Sequence, residues 1–365
     1  MTSDHDQLVA AITTTVPRLL TTMEAFEQVQ RNSHPTRFEE LAGMLAPFHQ
    51  ELAAEVSAFR ELEFPSDLNP LREIIDSAAE YTLRACDGIS RHAEGFGEVM
   101  KAMRAHCRAQ EIIYSLAPVM TPVSQYFLEP AARENRALIQ QMQAASSRDG
   151  VGLMSAQKER GSRGGFSLFI PEHLDPEAPA SLVVALHGGT GHGADFLWSW
   201  VREARTRGFV VMAPTSQQDT WSLMGEEHDL PALLSMIEQV KSMWPIDPAH
   251  IMIGGMSDGA TYSLIAALKA GSPFTHIAPF SGVLHPQLAM DGSLMHADGK
   301  PVYLVHGTMD WMFPIETAQM AKHELEAAGA KLVYREIEGL SHTYARSEHP
   351  ALIEWFNPAL TLPAD

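Results

Sequence analysis

The chain is short of cysteine, of basic residues and of long apolar runs, and each shortage excludes a class of protein. Only Cys86 and Cys107 occur among 365 residues. A disulfide framework is therefore excluded, and a chain this long buries enough core to need none. Lys and Arg number 26 against 45 Asp and Glu, for a formal net charge of -19. So acidic a surface repels polyanions, and no Lys/Arg cluster offsets the repulsion. Nucleic acids and anionic membranes are not expected partners, and a phosphorylated substrate would lack a basic pocket. No apolar stretch reaches about 18 residues, so no membrane span is expected. The opening Met1-Thr2-Ser3-Asp4-His5-Asp6 carries acids where a secretory signal carries basic and then apolar residues. A cytoplasmic location is the expectation. With 45% hydrophobic and 19% charged residues the composition is that of a globular protein, without repeats or low-complexity tracts.

What is present divides into two halves. Residues 1–148 read as helix throughout, with apolar residues at helical spacing in Leu41, Met44, Leu45, Phe48, Leu52, Val56 and Phe59. Asn69-Pro70 reads as a cap and first helical residue of a helix running towards Leu116, with Ile74, Ala78, Tyr81 and Ala85 inward and Gly88, Gly95 and Gly97 as break points. Pro47 suggests a kink or a fresh start. Residues 149–365 alternate short apolar runs with helical stretches. The strands are expected at 164–170, 181–187, 208–213, 250–254, 276–280, 301–306 and 331–337, and the helices near 194–206, 229–244, 258–270, 315–328 and 349–357. This alternation predicts an α/β domain built on a mostly parallel sheet covered on both faces.

The strongest chemical signal is Gly255-Met256-Ser257-Asp258-Gly259, which fits G-x-S-x-G between an apolar strand and a helical pattern. The alternative reading is a Gly-rich turn with a buried hydroxyl. A serine nucleophile needs a base, and the base an orienting acid. In the order Ser, acid, His, the candidates are Asp310 behind the strand at 301–306 and His342 behind the strand at 331–337. His306 belongs to a strand end and His349 to the next helix. An acyl-transfer site also needs two N–H donors. Asp258 offers one through its backbone, and Gly189 of His187-Gly188-Gly189-Thr190-Gly191 offers the other. No P-loop lysine follows that loop, which disfavours a phosphate cradle. His187 and His192 lack metal-site spacing and read as structural, so no metal is expected.

Methionines are frequent, and Met224, Met256, Met309 and Met312 flank the motifs, as do Trp198, Trp200, Trp221 and Trp311. They read as lining for an apolar acyl or alcohol pocket or as core filler. Trp311, Met256 and Gly188 are the substrate-contact candidates.

The segments LVVALHGG, IGGMSDGA, VYLVHGTMD and GLSH resemble the α/β-hydrolase superfamily, in particular its phospholipase/carboxylesterase and polyhydroxybutyrate-depolymerase or feruloyl-esterase-like branches. The likeness covers roughly residues 160–360. It implies an eight-stranded α/β-hydrolase sheet, the triad Ser257, Asp310 and His342, and ester hydrolysis without a cofactor. Asp258 stands where such enzymes often carry Gln or Asn, and Trp311-Met312 where small or charged residues are usual. The expected activity is cleavage of small to medium, uncharged or apolar-acyl esters through an acyl-enzyme. A thioesterase or peptidase on the same triad, and a non-catalytic binding protein on a hydrolase scaffold, are the alternatives. The all-α segment lies outside the resemblance and reads as a lid, a partner-binding module or a dimerisation bundle, the last compatible with a homodimer.

Overall fold

Two units divided between Ile139 and Gln140 make up the chain in the computed structural model, which describes residues 2–145, 148–156 and 159–362. The expected segments also include residues 1, 146–147, 157–158 and 363–365, which lie outside the described residues.

The first unit is helical: α1 (Thr2–Arg31), α2 (Phe38–Arg60), α3 (Asn69–Ser90), α4 (Phe96–Tyr114) and α5 (Thr121–Tyr126), with α6 (Arg136–Ala145) across the boundary. Apolar residues at helical spacing drive it. The buried face of α2 is Leu41, Leu45, Leu52, Val56 and Phe59, while Met44, expected on that face, is 50% exposed. Pro47 lies within α2 and does not start a new helix. Helix α3 is rotated slightly from the expected phase and buries Ile75, Ala79, Thr82 and Cys86 beside Ala78 and Ala85. Asn69 is its first residue and makes no side-chain cap. The chain breaks after Ser90, and Gly95 carries the turn with φ +128. Gly88 serves instead as the close approach of α3 to α4, because a Cβ there would lie 2.8 Å from Cβ of Ala102.

The second unit is an eight-stranded sheet of β1 (Gly152–Ser155), β2 (Phe166–Ile170), β3 (Ala180–Leu186), β4 (Val210–Pro214), β5 (Ile246–Met256), β6 (His276–Phe280), β7 (Pro301–Gly307) and β8 (Lys331–Ile337). Its order is β1-β2-β4-β3-β5-β6-β7-β8. The pairings from β4 to β8 are parallel, and β1 and β2 add an antiparallel edge. Between and after the strands lie α7 (Gly193–Phe196), α8 (Val201–Arg207), α9 (Asp229–Met243), α10 (Asp258–Ala267), α11 (Gln287–Met290), α12 (Ile315–Ala327) and α13 (His349–Phe356). Central strands are apolar on both faces because both are covered: Leu182, Val184, Leu186, Ile251, Ile253 and Leu304 are buried on one face, and Val183, Ala185, Met252 and Val305 on the other. Strand β1 was not expected. Its four residues are only half-buried at an edge, too short and too mixed to show a period. The loops leaving the carboxyl ends of β3, β5, β7 and β8 meet at one edge of the sheet, where open α/β sheets place their ligands. Among the described residues no helix is long and apolar enough to cross a membrane.

Candidate active site

Strand β5 runs straight into α10 with one residue, Ser257, at the corner. That corner needs small neighbours. A Cβ on Gly259 would stand 2.4 Å from the carbonyl oxygens of both Leu186 and His187, and one on Gly255 would stand 2.5 Å from that of Leu186. Both glycines of the motif are therefore steric requirements of packing the elbow against β3. Ser257 itself has φ +56 and ψ -120, a backbone state that costs a non-glycine residue about 1–3 kcal/mol. Its N–H is anchored to the Phe280 carbonyl of β6 at 3.0 Å. The side chain is thus held at the mouth of the sheet, with the residue 8% exposed.

His342 comes to it from the loop after β8. Its Nε2 lies 3.1 Å from Ser257 Oγ, and its Nδ1 lies 2.8 Å from Oδ2 of Asp310. Asp310 follows β7, with its side chain fully buried. Its second oxygen, Oδ1, accepts the N–H groups of Met312 and Phe313 at 2.9 and 2.8 Å. Burial opposes ionisation of this carboxyl, but His342 and those two N–H donors outweigh it and hold Asp310 below the ordinary carboxylate range. A carboxylate accepts only, so Nδ1 of His342 carries the ring proton and Nε2 faces the hydroxyl as an acceptor. The edge-on rings of Phe313 and Trp311 flank the imidazole at centroid distances of 5.4 and 6.3 Å.

The loops that carry Asp310 and His342 are joined to each other by backbone. Thr308 N–H donates to Ile337, Met309 N–H to Leu340, and Gly339 N–H to the Thr308 hydroxyl. Gly307 permits this approach, since a Cβ there would sit 2.2 Å from the Leu340 oxygen. His306 lies beneath, with its Nε2–H donating to the Phe313 carbonyl at 2.8 Å and standing 3.4 Å from Oδ2 of Asp310.

The Gly188–Gly191 loop abuts the elbow. A Cβ on Gly188 would lie 3.5 Å from both the Met256 oxygen and Ser257 Cβ, and one on Gly189 would lie 2.7 Å from Oδ2 of Asp258. Among the described residues neither the Gly189 nor the Asp258 N–H has a hydrogen-bond acceptor. The Asp258 carboxylate accepts from the Thr220 hydroxyl at 2.5 Å, so its side chain ties the loop after β4 to the elbow. His192 caps α7 through Nδ1 and donates from Nε2 to the Ser162 carbonyl.

Each residue expected at the site therefore lies at this edge, but not all of the expected apolar lining does. Trp198, Trp200 and Trp221 are buried as packing residues, while Trp311 is 44% exposed and Met309 and Met312 are exposed beside it. Thr220 and Phe313 carry no signal in the sequence, and His306 is expected there only as part of a strand end. The structure keeps His306 at that strand end, four residues before Asp310, and adds its contact with the Asp310 carboxylate.

Comparison with known proteins agrees with the fold. A family described as phospholipase/carboxylesterase matches residues 219–357. The chain is similar to a bifunctional acetylxylan esterase/xylanase of Neocallimastix patriciarum, 27% identical over 159 residues, which are 42% of this chain and 22% of that protein. It is also similar to poly(3-hydroxyalkanoate) depolymerase C of Paucimonas lemoignei, 28% identical over 125 residues, which are 31% of this chain and 30% of that one. The match thus spans 22% and 30% of these relatives' own length. Among solved structures it is similar to a thermostable esterase at 21% identity and a TM-score of 0.47, covering 56% of this chain and 62% of that one. With the strand–Ser–helix corner on a mostly parallel eight-stranded sheet and a family match over residues 219–357, the second unit has the α/β-hydrolase fold and is similar to esterases that share it.

Proposed function

We propose that the protein hydrolyses carboxylic esters through a covalent acyl-enzyme, with Ser257 as nucleophile, His342 as general base and then acid, and Asp310 as the residue that orients the imidazole. The observation that carries this reading is the unbroken chain from Ser257 Oγ to His342 at 3.1 Å and on to Asp310 at 2.8 Å, with the serine on a strained corner. As Oγ attacks the ester carbonyl, its proton passes to Nε2 of His342, and the imidazolium formed faces the Asp310 carboxylate. The oxyanion takes the N–H groups of Gly189 and Asp258. The imidazolium then gives its proton to the leaving alcohol, the acyl group stays on Oγ, and water repeats the sequence to release the acid.

The substrate class follows from what borders His342. Trp311, Met309 and Met312 are exposed apolar side chains on the acid loop. The reading favours small to medium, uncharged or apolar-acyl esters, with Trp311, Met256 and Gly188 against the substrate. Hydrolysis of p-nitrophenyl esters of increasing acyl length tests it, comparing wild type with Ser257→Ala. Wild-type turnover that falls by about a million-fold in the variant is expected. A wild type that turns over no ester, and whose Ser257 resists a fluorophosphonate, refutes it.

A further inference from the structure

Behind the Gly188–Gly191 loop lies a buried titratable side chain with no part in the proton transfers above, His187. Its ring makes two hydrogen bonds of opposite sense. Nδ1 lies 2.7 Å from the Gly188 carbonyl, which can only accept, and Nε2 lies 3.1 Å from the Ser216 N–H, which can only donate. A neutral imidazole protonated on Nδ1 satisfies both, and no other protonation state does. Burial pushes the imidazole down to about 3, which keeps it neutral. Trp221 locks the ring in place, donating from Nε1 to the His187 carbonyl at 2.7 Å and packing against the imidazole at 4.8 Å.

The group that His187 holds is one end of a peptide whose other end matters. In a trans peptide the C=O and the following N–H point in opposite directions, so fixing the Gly188 carbonyl also fixes the aim of the Gly189 N–H. The Gly191 N–H holds the same carbonyl at 3.0 Å. A Cβ on Gly191 would lie 3.0 Å from His187 Nδ1 and 2.8 Å from the Gly188 oxygen, so a side chain there would break the clasp. The turn does not hold itself unaided, because β-branched Thr190 within it sits at φ +55. We infer that His187 is a positioning residue for ester hydrolysis, its Nδ1–H pinning the Gly188 carbonyl so that the Gly189 N–H is preset toward the developing oxyanion. The inference rests on the esterase reading and adds to it the device that orients one oxyanion donor.

Two substitutions separate positioning from packing. In His187→Asn the amide nitrogen falls near the place of Nδ1, keeping the bond to Gly188 and losing the one to Ser216. In His187→Gln the amide falls near Nε2, with the reverse result. Each variant gives up one hydrogen bond, so a merely structural role predicts equal losses. Positioning predicts that kcat of H187Q falls about 100-fold, with KM within about threefold and a parallel loss of affinity for a trifluoromethyl ketone transition-state analogue. H187N keeps kcat within about tenfold of wild type. Equal falls in the two variants, or an H187Q with near-wild-type kcat, overturn the inference while leaving the Ser257→Ala result standing. Should both variants fail to fold, the 15N imidazole resonances of wild-type His187 decide. A neutral Nδ1–H ring is expected down to pH 5, and an Nε2–H tautomer overturns the proposal. A wild type inert to esters and to the fluorophosphonate removes the esterase reading, and this inference with it.

Discussion

Replacing Asp310 by Asn changes one atom and should nearly abolish turnover without unfolding the protein. The reason lies in how the carboxylate is held. Oδ1 accepts two backbone N–H groups, from Met312 and Phe313. An asparagine at 310 keeps both only if its carbonyl oxygen occupies that place, and turning it over would leave two amides unpaired at about 1–3 kcal/mol each. Its NH₂ must therefore face Nδ1 of His342 and donate to it. The imidazole then carries its proton on Nε2 and can no longer receive one from Ser257. The lost charge gives a second estimate. Imidazolium and carboxylate in contact at 2.8 Å, with charge centres slightly further apart, attract by about 5 kcal/mol at an effective dielectric of about 20. That is three to four decades in rate, in the range of about 10⁴ seen when a triad acid becomes its amide. The assay is kcat and KM on a short-chain p-nitrophenyl ester, with thermal unfolding alongside. We expect kcat down by about 10³–10⁴ with KM near wild type and the midpoint moved by only a few degrees. Retention of kcat within tenfold would refute the assignment of Asp310.

The strain at Ser257 predicts that Ser257→Gly is inactive but more stable by about 1 kcal/mol, or ~2–4 °C in midpoint, since glycine adopts φ +56 freely; a lower midpoint contradicts this. Glu203 is buried against Arg346 and His349, and although burial opposes its charge, those neighbours outweigh it and hold it well below the usual carboxylate range. Folding lowers this pKa, so the pairing stabilises fully above the unfolded carboxylate value of about 4.3 and progressively less as pH falls below it. Glu203→Gln should cost about 3–5 kcal/mol in urea unfolding at pH 7 and less at pH 4, and a deficit that grows on acidification counts against it. Trp311→Ala should raise KM for long-acyl esters about three- to tenfold while sparing acetyl esters, and an equal rise for both moves Trp311 out of the substrate's reach.

The corner at Ser257 was legible in the sequence because sterics write it there. The glycines at 255 and 259 are demanded by the carbonyls of Leu186 and His187, so the motif announces the strand–helix corner. That Asp310 and His342 meet Ser257 was legible through chain order alone, each following a strand whose alternation with helices fixed its end of the sheet. What the pattern could not carry was the purpose of side chains that serve equally as packing or as site. Trp198, Trp200, Trp221 and Trp311 all sit in loops near motifs, and only the folded contacts separate three buried rings from the exposed one. The phase of α3 departs from the expected one for a similar reason, because Ile74 and Ile75 are equally apolar and one helical step apart. His187 was read as structural, and its two hydrogen bonds appear only when the Ser216 loop, 29 residues downstream, folds back onto it.

The site is built as two halves. In one, His187, Trp221 and the Thr220–Asp258 contact bind the loops after β3 and β4 to the Ser257 corner. In the other, backbone hydrogen bonds between the segments after β7 and β8 join the Asp310 and His342 loops into a single body. Strand β6 joins them: the Phe280 carbonyl receives the Ser257 N–H, the Ser281 N–H donates to Val305 of β7, and the Phe280 ring packs on Tyr344, two residues beyond His342. The Ser257–His342 distance is therefore set by sheet registration and not by the flexibility of either side chain. For the proposed ester hydrolysis, such preorganisation would place the reacting groups before substrate arrives, which is where most of an enzyme's advantage over solution chemistry arises. It also explains why the strained backbone at Ser257 persists: the N–H of that residue is tied to β6, the glycines on either side are packed against β3, and relaxing the corner would break both attachments.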